Sequence, residues 1–163
     1  MKKILLTLLL FGSIFAQANR ILTLAPTAQA SSIGNVMLPM MNPARNLFDK
    51  DHFSFSRVNW MTNIVNDMSY NFINFDRGEY GVNVLFFNYG EQNQSDEFGI
   101  IQNQFTPLSA VYSFSYARKV DKYNLGVTAK LITHDLYTQS AKGLVLGVGG
   151  YFPKVYKDLD VDV

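Results

Sequence analysis

The chain has no cysteine, which removes disulfide scaffolds, thiolate zinc sites and cysteine nucleophiles together. Charge is also scarce, at 17% of 163 residues where roughly 25% is ordinary. The 14 lysines and arginines nearly balance 13 acids, so the charge footprint of a nucleic-acid binder is missing and no nucleic-acid partner is expected. Histidine occurs twice, at positions 52 and 134, too sparsely for an imidazole metal cluster. Aromatics fill the space that charge leaves: 13 Phe, 9 Tyr and one Trp call for a surface other than an ordinary water-facing one.

Long apolar runs are equally rare. The one candidate stands at the N-terminus, where Lys2 and Lys3 precede the stretch Ile4 to Ala16 and the small-x-small box Ala16-Gln17-Ala18. This three-part pattern predicts a secretory signal peptide over 1–18. A membrane-spanning helix needs about 20 apolar residues, and Gln17, Asn19 and Arg20 interrupt this one too early. With no cysteine after the stretch, an N-terminal lipid anchor is excluded. Cleavage after Ala18 removes two basic residues and leaves an exported chain close to neutral.

From about residue 53 the chain alternates between two faces, as a strand with unlike surroundings must. Tyr123, Leu125, Val127, Ala129 and Leu131 alternate with Asn124, Gly126, Thr128, Lys130 and Ile132. Upstream, Tyr112, Phe114 and Tyr116 alternate with Ser113, Ser115 and Ala117. Leu144, Leu146 and Val148 oppose Gly143, Val145, Gly147 and Gly149, and Tyr80, Val82, Val84 and Phe86 oppose Gly81, Asn83, Leu85 and Phe87. Two weaker runs lie near 53–60 and 68–76. The count is six strands and the start of a seventh at 159–163. The later strands are about ten to thirteen residues long, against roughly 5 to 6 in ordinary globular sheets and roughly 9 to 11 in a membrane-crossing barrel. With the export signal, these features predict an antiparallel transmembrane β-barrel whose apolar faces, Tyr112, Phe114, Tyr116, Leu125, Val127, Leu131, Leu144, Leu146 and Val148, meet lipid. A soluble sandwich or lipocalin-like barrel also alternates.

The connections alternate too. Asp76-Arg77-Gly78-Glu79 and Val120-Asp121-Lys122 are tight turns, whereas 61–67, 91–107 and 135–141 read as longer loops. Short periplasmic turns and long external loops give this pattern in outer-membrane barrels. The polar stretch 91–97 is then the most exposed, and 91–107 as a whole is expected on the cell's outside and mobile. Before the strands, 19–50 is apolar yet broken by Gly34, Pro39 and Pro43, which suggests a plug or clasp against the barrel's inside; a loosely held linker is the plainer alternative. The domain reading is a signal peptide at 1–18, a plug segment at 19–50 and barrel strands over 51–163.

Residues that could carry chemistry do not assemble into a motif. His134 and Asp135 are adjacent in a strand and point to opposite faces, so they cannot form a base and its orienting acid. His52 beside Asp51 has no second histidine nearby. Asp158, Asp160 and Asp162 mimic the opening of a calcium loop but lack its turn glycine. The glycines over 143–150 open no helix, so they make no phosphate cradle and instead leave room for close packing of a plug. No catalytic, cofactor-binding or metal-ligating residue is assigned, no cofactor is expected, and the chain is read as non-enzymatic.

The order of several short pieces resembles the PorV/PorQ family of outer-membrane barrels, relatives of the FadL-type fatty acid channel. The pieces are Leu24-Ala25-Pro26-Thr27-Ala28, Asn42-Pro43-Ala44, Thr106-Pro107-Leu108-Ser109-Ala110 leading to Phe114-Ser115-Tyr116-Ala117-Arg118, Leu125 to Lys130, and Gly143 to Val148. The chain departs from the family where a glycine-rich acidic stretch precedes Asn-Pro-Ala: here stand Ser32-Ile33-Gly34-Asn35 and a methionine run. Family members are much longer, so the resemblance implies about 6–7 strands of a larger FadL-like barrel, and a truncated frame is expected over a complete small barrel. It implies the outer membrane of a Gram-negative-type bacterium, with outer-membrane lipid as partner. It also implies either a structural component of type IX-like protein secretion with secretion-system proteins as partners, or a channel for hydrophobic small molecules with such a molecule as ligand.

Overall fold

A computed structural model describes residues 41–48, 51–60, 67–156 and 159–162, with Thr27 and Asn63. The signal-peptide stretch, most of the Leu24 to Ala28 piece and the methionine run before Met41 lie outside the described residues.

The described chain is all-β and antiparallel. Its strands are β1 (His52–Asn59), β2 (Ser69–Arg77), β3 (Tyr80–Asn88), β4 (Gln92–Ser95), β5 (Ile101–Phe105), β6 (Leu108–Val120), β7 (Tyr123–Leu136), β8 (Gln139–Tyr156) and β9 (Leu159–Asp162). One short 3₁₀ turn, Pro43–Leu47, precedes them. Seven strands form one sheet in the order β1-β2-β3-β6-β7-β8-β9, and β4 and β5 form a separate hairpin. Among the described residues the sheet is open, with β1 and β9 at its edges, and does not close into a barrel.

The long strands β2, β3, β6, β7 and β8 follow from their composition. Aromatic and β-branched side chains recur at every second position and suit a pleated ladder. Two-residue turns that demand a positive φ reverse the chain: Gly78 (φ 57°) between β2 and β3, and Asp121 (φ 56°) between β6 and β7.

Two connections differ from the sequence reading. The stretch 91–107 is not an irregular loop but largely the β4–β5 hairpin, paired from Gln92 with Phe105 to Gln94 with Asn103. Gln, Asn and Ser are weak strand formers, so composition hid a ladder that pairing across the turn supplies. The second, 135–141, is not a long loop: β7 and β8 stay paired through Asp135 with Ser140 and Leu136 with Gln139, and only Tyr137 and Thr138 turn. Tyr137 adopts φ 47°, which is uncommon for a bulky residue. Its ring packs on Phe105 at 4.9 Å and its hydroxyl accepts a hydrogen bond from Asn103 at 3.1 Å, so contacts with the hairpin hold the strained turn. These extensions make β7 14 and β8 18 residues long.

Candidate functional site

Residues opposed across an antiparallel ladder share a face, so the registers assign the side chains of β1 to β3 and β6 to β8 from 52 to 151. One row runs Phe53, Phe75, Val82, Phe114, Ala129, Leu146; the next runs Phe55, Ile73, Val84, Tyr112, Leu131, Leu144; a third runs Tyr80, Tyr116, Val127, Val148. The nine residues expected on the apolar faces therefore fall on one face of one sheet. They face outward: Leu144, Leu146 and Val148 are 69%, 76% and 84% exposed, and Phe53, Phe114 and Val127 are also exposed.

This face is far larger and more continuous than the scattered apolar residues of an ordinary soluble surface. Along β8 it runs from Leu144 to Phe152, about 27 Å of strand at ~3.4 Å per residue. A tilt of about 40° reduces this to about 21 Å, close to the roughly 25 Å apolar band of an outer-membrane barrel. Aromatic rings gather at the end carrying the Gly78 and Asp121 turns, where Tyr80 packs at a tilt against Tyr116 at 5.1 Å and Tyr123 against Phe152 at 5.3 Å. Arg77 and Arg118 lie at that same end. The opposite end passes into the row Asn59, Ser69, Asn88, Leu108, Asp135 and Ser140, polar except for Leu108.

The other face is mixed. Towards the β4–β5 end it carries a buried cluster of Tyr70, Phe72, Leu85, Phe87, Val111 and Ile132. Below it the side chains turn polar, with Asn74, Asn83 and Ser113 in one row and Asp76, Ser115 and Thr128 in the next, all buried. Both amide atoms of Asn83 and the Ser113 hydroxyl lack a hydrogen-bond partner among the described residues. Buried groups of this kind require water or another polar partner.

Asn42-Pro43-Ala44 closes the lower end of this face. Asn42 caps the 3₁₀ turn, its Oδ1 accepting from the Ala44 amide at 3.0 Å while its Nδ2 donates to the Gly150 carbonyl at 3.3 Å. Pro43 starts the turn, where a missing N–H costs nothing. Asn46 then donates to the Ser115 hydroxyl at 2.9 Å and the Glu79 carbonyl at 3.4 Å. Arg45 lies over the rings of Phe48 and Tyr151, at 4.9 and 5.7 Å. The turn approaches this closely because the sheet beneath is glycine. A Cβ on Gly126 would lie 2.6 Å from the Ala44 nitrogen, and one on Gly149 would overlap the Asn42 side chain. The glycines of β7 and β8 thus make the seat, as the small-residue reading of 143–150 anticipates for Gly149; Gly143 faces open space.

The residues that could carry chemistry are dispersed. His134 and Asp135 fall on opposite faces, Asp135 paired with Ser140. Sequence reasoning missed the neighbour of His134: it pairs across the ladder with Ser109, whose hydroxyl contacts His134 Nδ1 and donates to the Tyr89 hydroxyl at 3.4 Å. A serine beside a histidine is a nucleophile and base in outline, but Ser109 is only 1% exposed, which leaves a substrate no approach. Asp160 accepts from the Tyr151 hydroxyl and from the Lys154 amide; Asp158 lies outside the described residues. Among the described residues no group of three or more His, Asp or Glu could hold a metal ion, and no helix is long and apolar enough to cross a membrane.

At the tip of the β4–β5 hairpin, Asp96 accepts from the amides of Ile100 at 2.8 Å and Phe98 at 3.0 Å and from Gln102 Nε2 at 3.1 Å. The Ile100 amide above all holds its carboxyl below the usual carboxylate range. Phe98 projects from this locked turn, 82% exposed.

No protein-family model matches the chain, and no curated protein matches it in sequence.

Proposed function

We propose that this chain is part of a non-enzymatic outer-membrane β-barrel of PorV/PorQ type, acting as a structural and interaction component of type IX-like protein secretion. The observation that carries the membrane placement is the outward apolar face: two cross-strand rows from β1 to β8 and a third from β3 to β8, edged at one end by tyrosines and arginines and at the other by mostly polar residues. In water such a face would drive association. In a bilayer it is the surface a spanning sheet needs, with backbone groups satisfied within the ladder. Polar residues on the opposite face suit a hydrated interior.

The secretion role rests on the ordered motifs of the sequence. Asn42-Pro43-Ala44 strengthens that reading, because it is seated on the interior face by glycines and by two asparagine side chains. A clasp that fills one end of the interior suits a protein whose work is to hold partners. The buried apolar cluster of Tyr70, Phe72, Leu85, Val111 and Ile132 on the same face favours a second reading, passage of a hydrophobic small molecule.

The two readings separate when the protein is extracted from its native membrane under mild detergent. Stoichiometric recovery with secretion-system proteins supports the first. Recovery alone, with a bound fatty acid or detergent, supports the second. Release of the chain from membranes by alkaline carbonate would overturn both.

A further inference from the structure

The outward face bears grooves between its side chains, one along Phe114, Val127, Leu146 and Val148 and another where a charge is near. Gly150 stands in the row with Leu125 and Arg118, and beside it the sheet bears a groove of about 540 Å³. Tyr116, Leu125, Val127, Val148 and Phe152 line it, and Arg118 closes the end nearest the Asp121 turn. The ring of Phe152 lies beside the glycine, so a Cβ at 150 would come within 2.7 Å of it.

We propose that this groove seats an acyl chain of a membrane phospholipid, with the phosphate held by the Arg118 guanidinium. The inference rests on the lipid-facing reading above and deepens it, from general contact with lipid to a defined lipid site. The walls are apolar, as an acyl chain requires. Arg118 is one row beyond Tyr116, at the rim of the apolar band, where the headgroups of the leaflet on the short-turn side lie. A guanidinium pairs with phosphate oxygens through two parallel N–H donors, and among the described residues no carboxylate forms a salt bridge with Arg118. Charge and groove together fit an amphiphile whose anionic group begins where its hydrocarbon ends.

The test uses the chain purified from membranes in whatever assembly it forms there, in non-ionic detergent micelles containing phosphatidylglycerol and phosphatidylethanolamine. Retained phospholipid is read by native mass spectrometry and phosphorus assay. The wild-type chain should keep bound phospholipid, and R118Q should hold it about tenfold more weakly, the scale of one lost charge-assisted contact. R118K should fall between. G150V, which fills the groove and keeps the arginine, should lose lipid as well. R57Q, at the opposite rim, should retain it. Equal retention by wild type, R118Q and G150V, in a chain that resists carbonate extraction, would overturn this inference and leave the membrane placement standing. Competition by glycerol 3-phosphate, which has no acyl chain, would show a free-phosphate site and also overturn it. Release of the wild-type chain by carbonate would remove the membrane placement and the lipid site with it.

Discussion

Gly126 of β7 lies directly under Pro43: a Cβ at 126 would stand 2.6 Å from the Pro43 carbonyl carbon and 2.6 Å from the Ala44 nitrogen. Both atoms are backbone, so no side chain can swing aside. The contact joins the 41–48 segment to the sheet and fixes the 3₁₀ turn on the face opposite the exposed apolar one.

Gly126→Ala should therefore displace the turn, at a cost of about 1–3 kcal/mol, as for overpacking. Gly143→Ala meets nothing within 4 Å and should be neutral or slightly stabilising. A cysteine in place of Ala44 reports the difference, since the chain has none of its own. Maleimide should label it slowly while Gly126 is kept and readily once Gly126→Ala is added. Equal labelling would mean that the turn does not rest on β7.

An arginine on the outward face tests the environment of that face. Val127→Arg, opposite Val148, should cost about 2–4 kcal/mol, the penalty at the bilayer midplane, and Ser140→Arg at the polar rim beside Asp135 about 0–1. The amount of assembled, carbonate-resistant protein measures both. Similar yields for the two variants would count against a lipid-facing surface at Val127.

The hairpin tip should respond to acid. Asp96 has a lowered pKa in the folded chain, owing first to the Ile100 amide. Its contribution is complete above the ordinary carboxylate pKa and fades as pH falls through the lower folded-state value. Protease added to intact cells should cut slowly near Phe98 at neutral pH. Asp96→Ala should speed cutting several-fold at neutral pH by freeing the turn, and strong acid should loosen the wild-type tip in the same way. Cleavage seen only in lysed cells would place the hairpin on the opposite side of the membrane.

The open edges make a further demand. Among the described residues nothing pairs with the outer edges of β1 and β9, and an unpaired backbone group in lipid costs several kcal/mol. Exported in its present length, the chain should appear on unheated gels as a larger species that falls to monomer on heating, or should fail to accumulate. A single-chain species that shifts mobility on heating would show that it closes its own sheet.

Most of the sheet is legible in the sequence because alternation reports two unlike surroundings directly. The apolar side of Tyr112, Phe114 and Tyr116, and of Leu125, Val127 and Leu131, emerges as one face once register joins the strands. What alternation cannot carry is polar on both faces: Gln92 to Ser95 and Gln139 to Ser140 form ladders that only their partners specify. Contacts across the ladder are equally hidden. Asn46 reaches Ser115 from 69 residues away and Ser109 meets His134 from 25, and neither pairing has a local signal. The burial of Thr128 is also not evident from alternation: it is covered, and its hydroxyl donates to the Phe114 carbonyl. Thr128→Arg should therefore damage packing.

The most direct test of the membrane-facing surface is a cysteine scan along β8. Single cysteines at Gly143, Leu144, Val145, Leu146 and Val148 carry an environment-sensitive fluorophore, and the membrane contains nitroxide-bearing lipid. Strong quenching at 144, 146 and 148 with little at 143 and 145, a period of two matching the outward row, is the predicted result. Uniform weak quenching, with all five positions open to a water-soluble thiol reagent, would contradict a lipid-facing sheet.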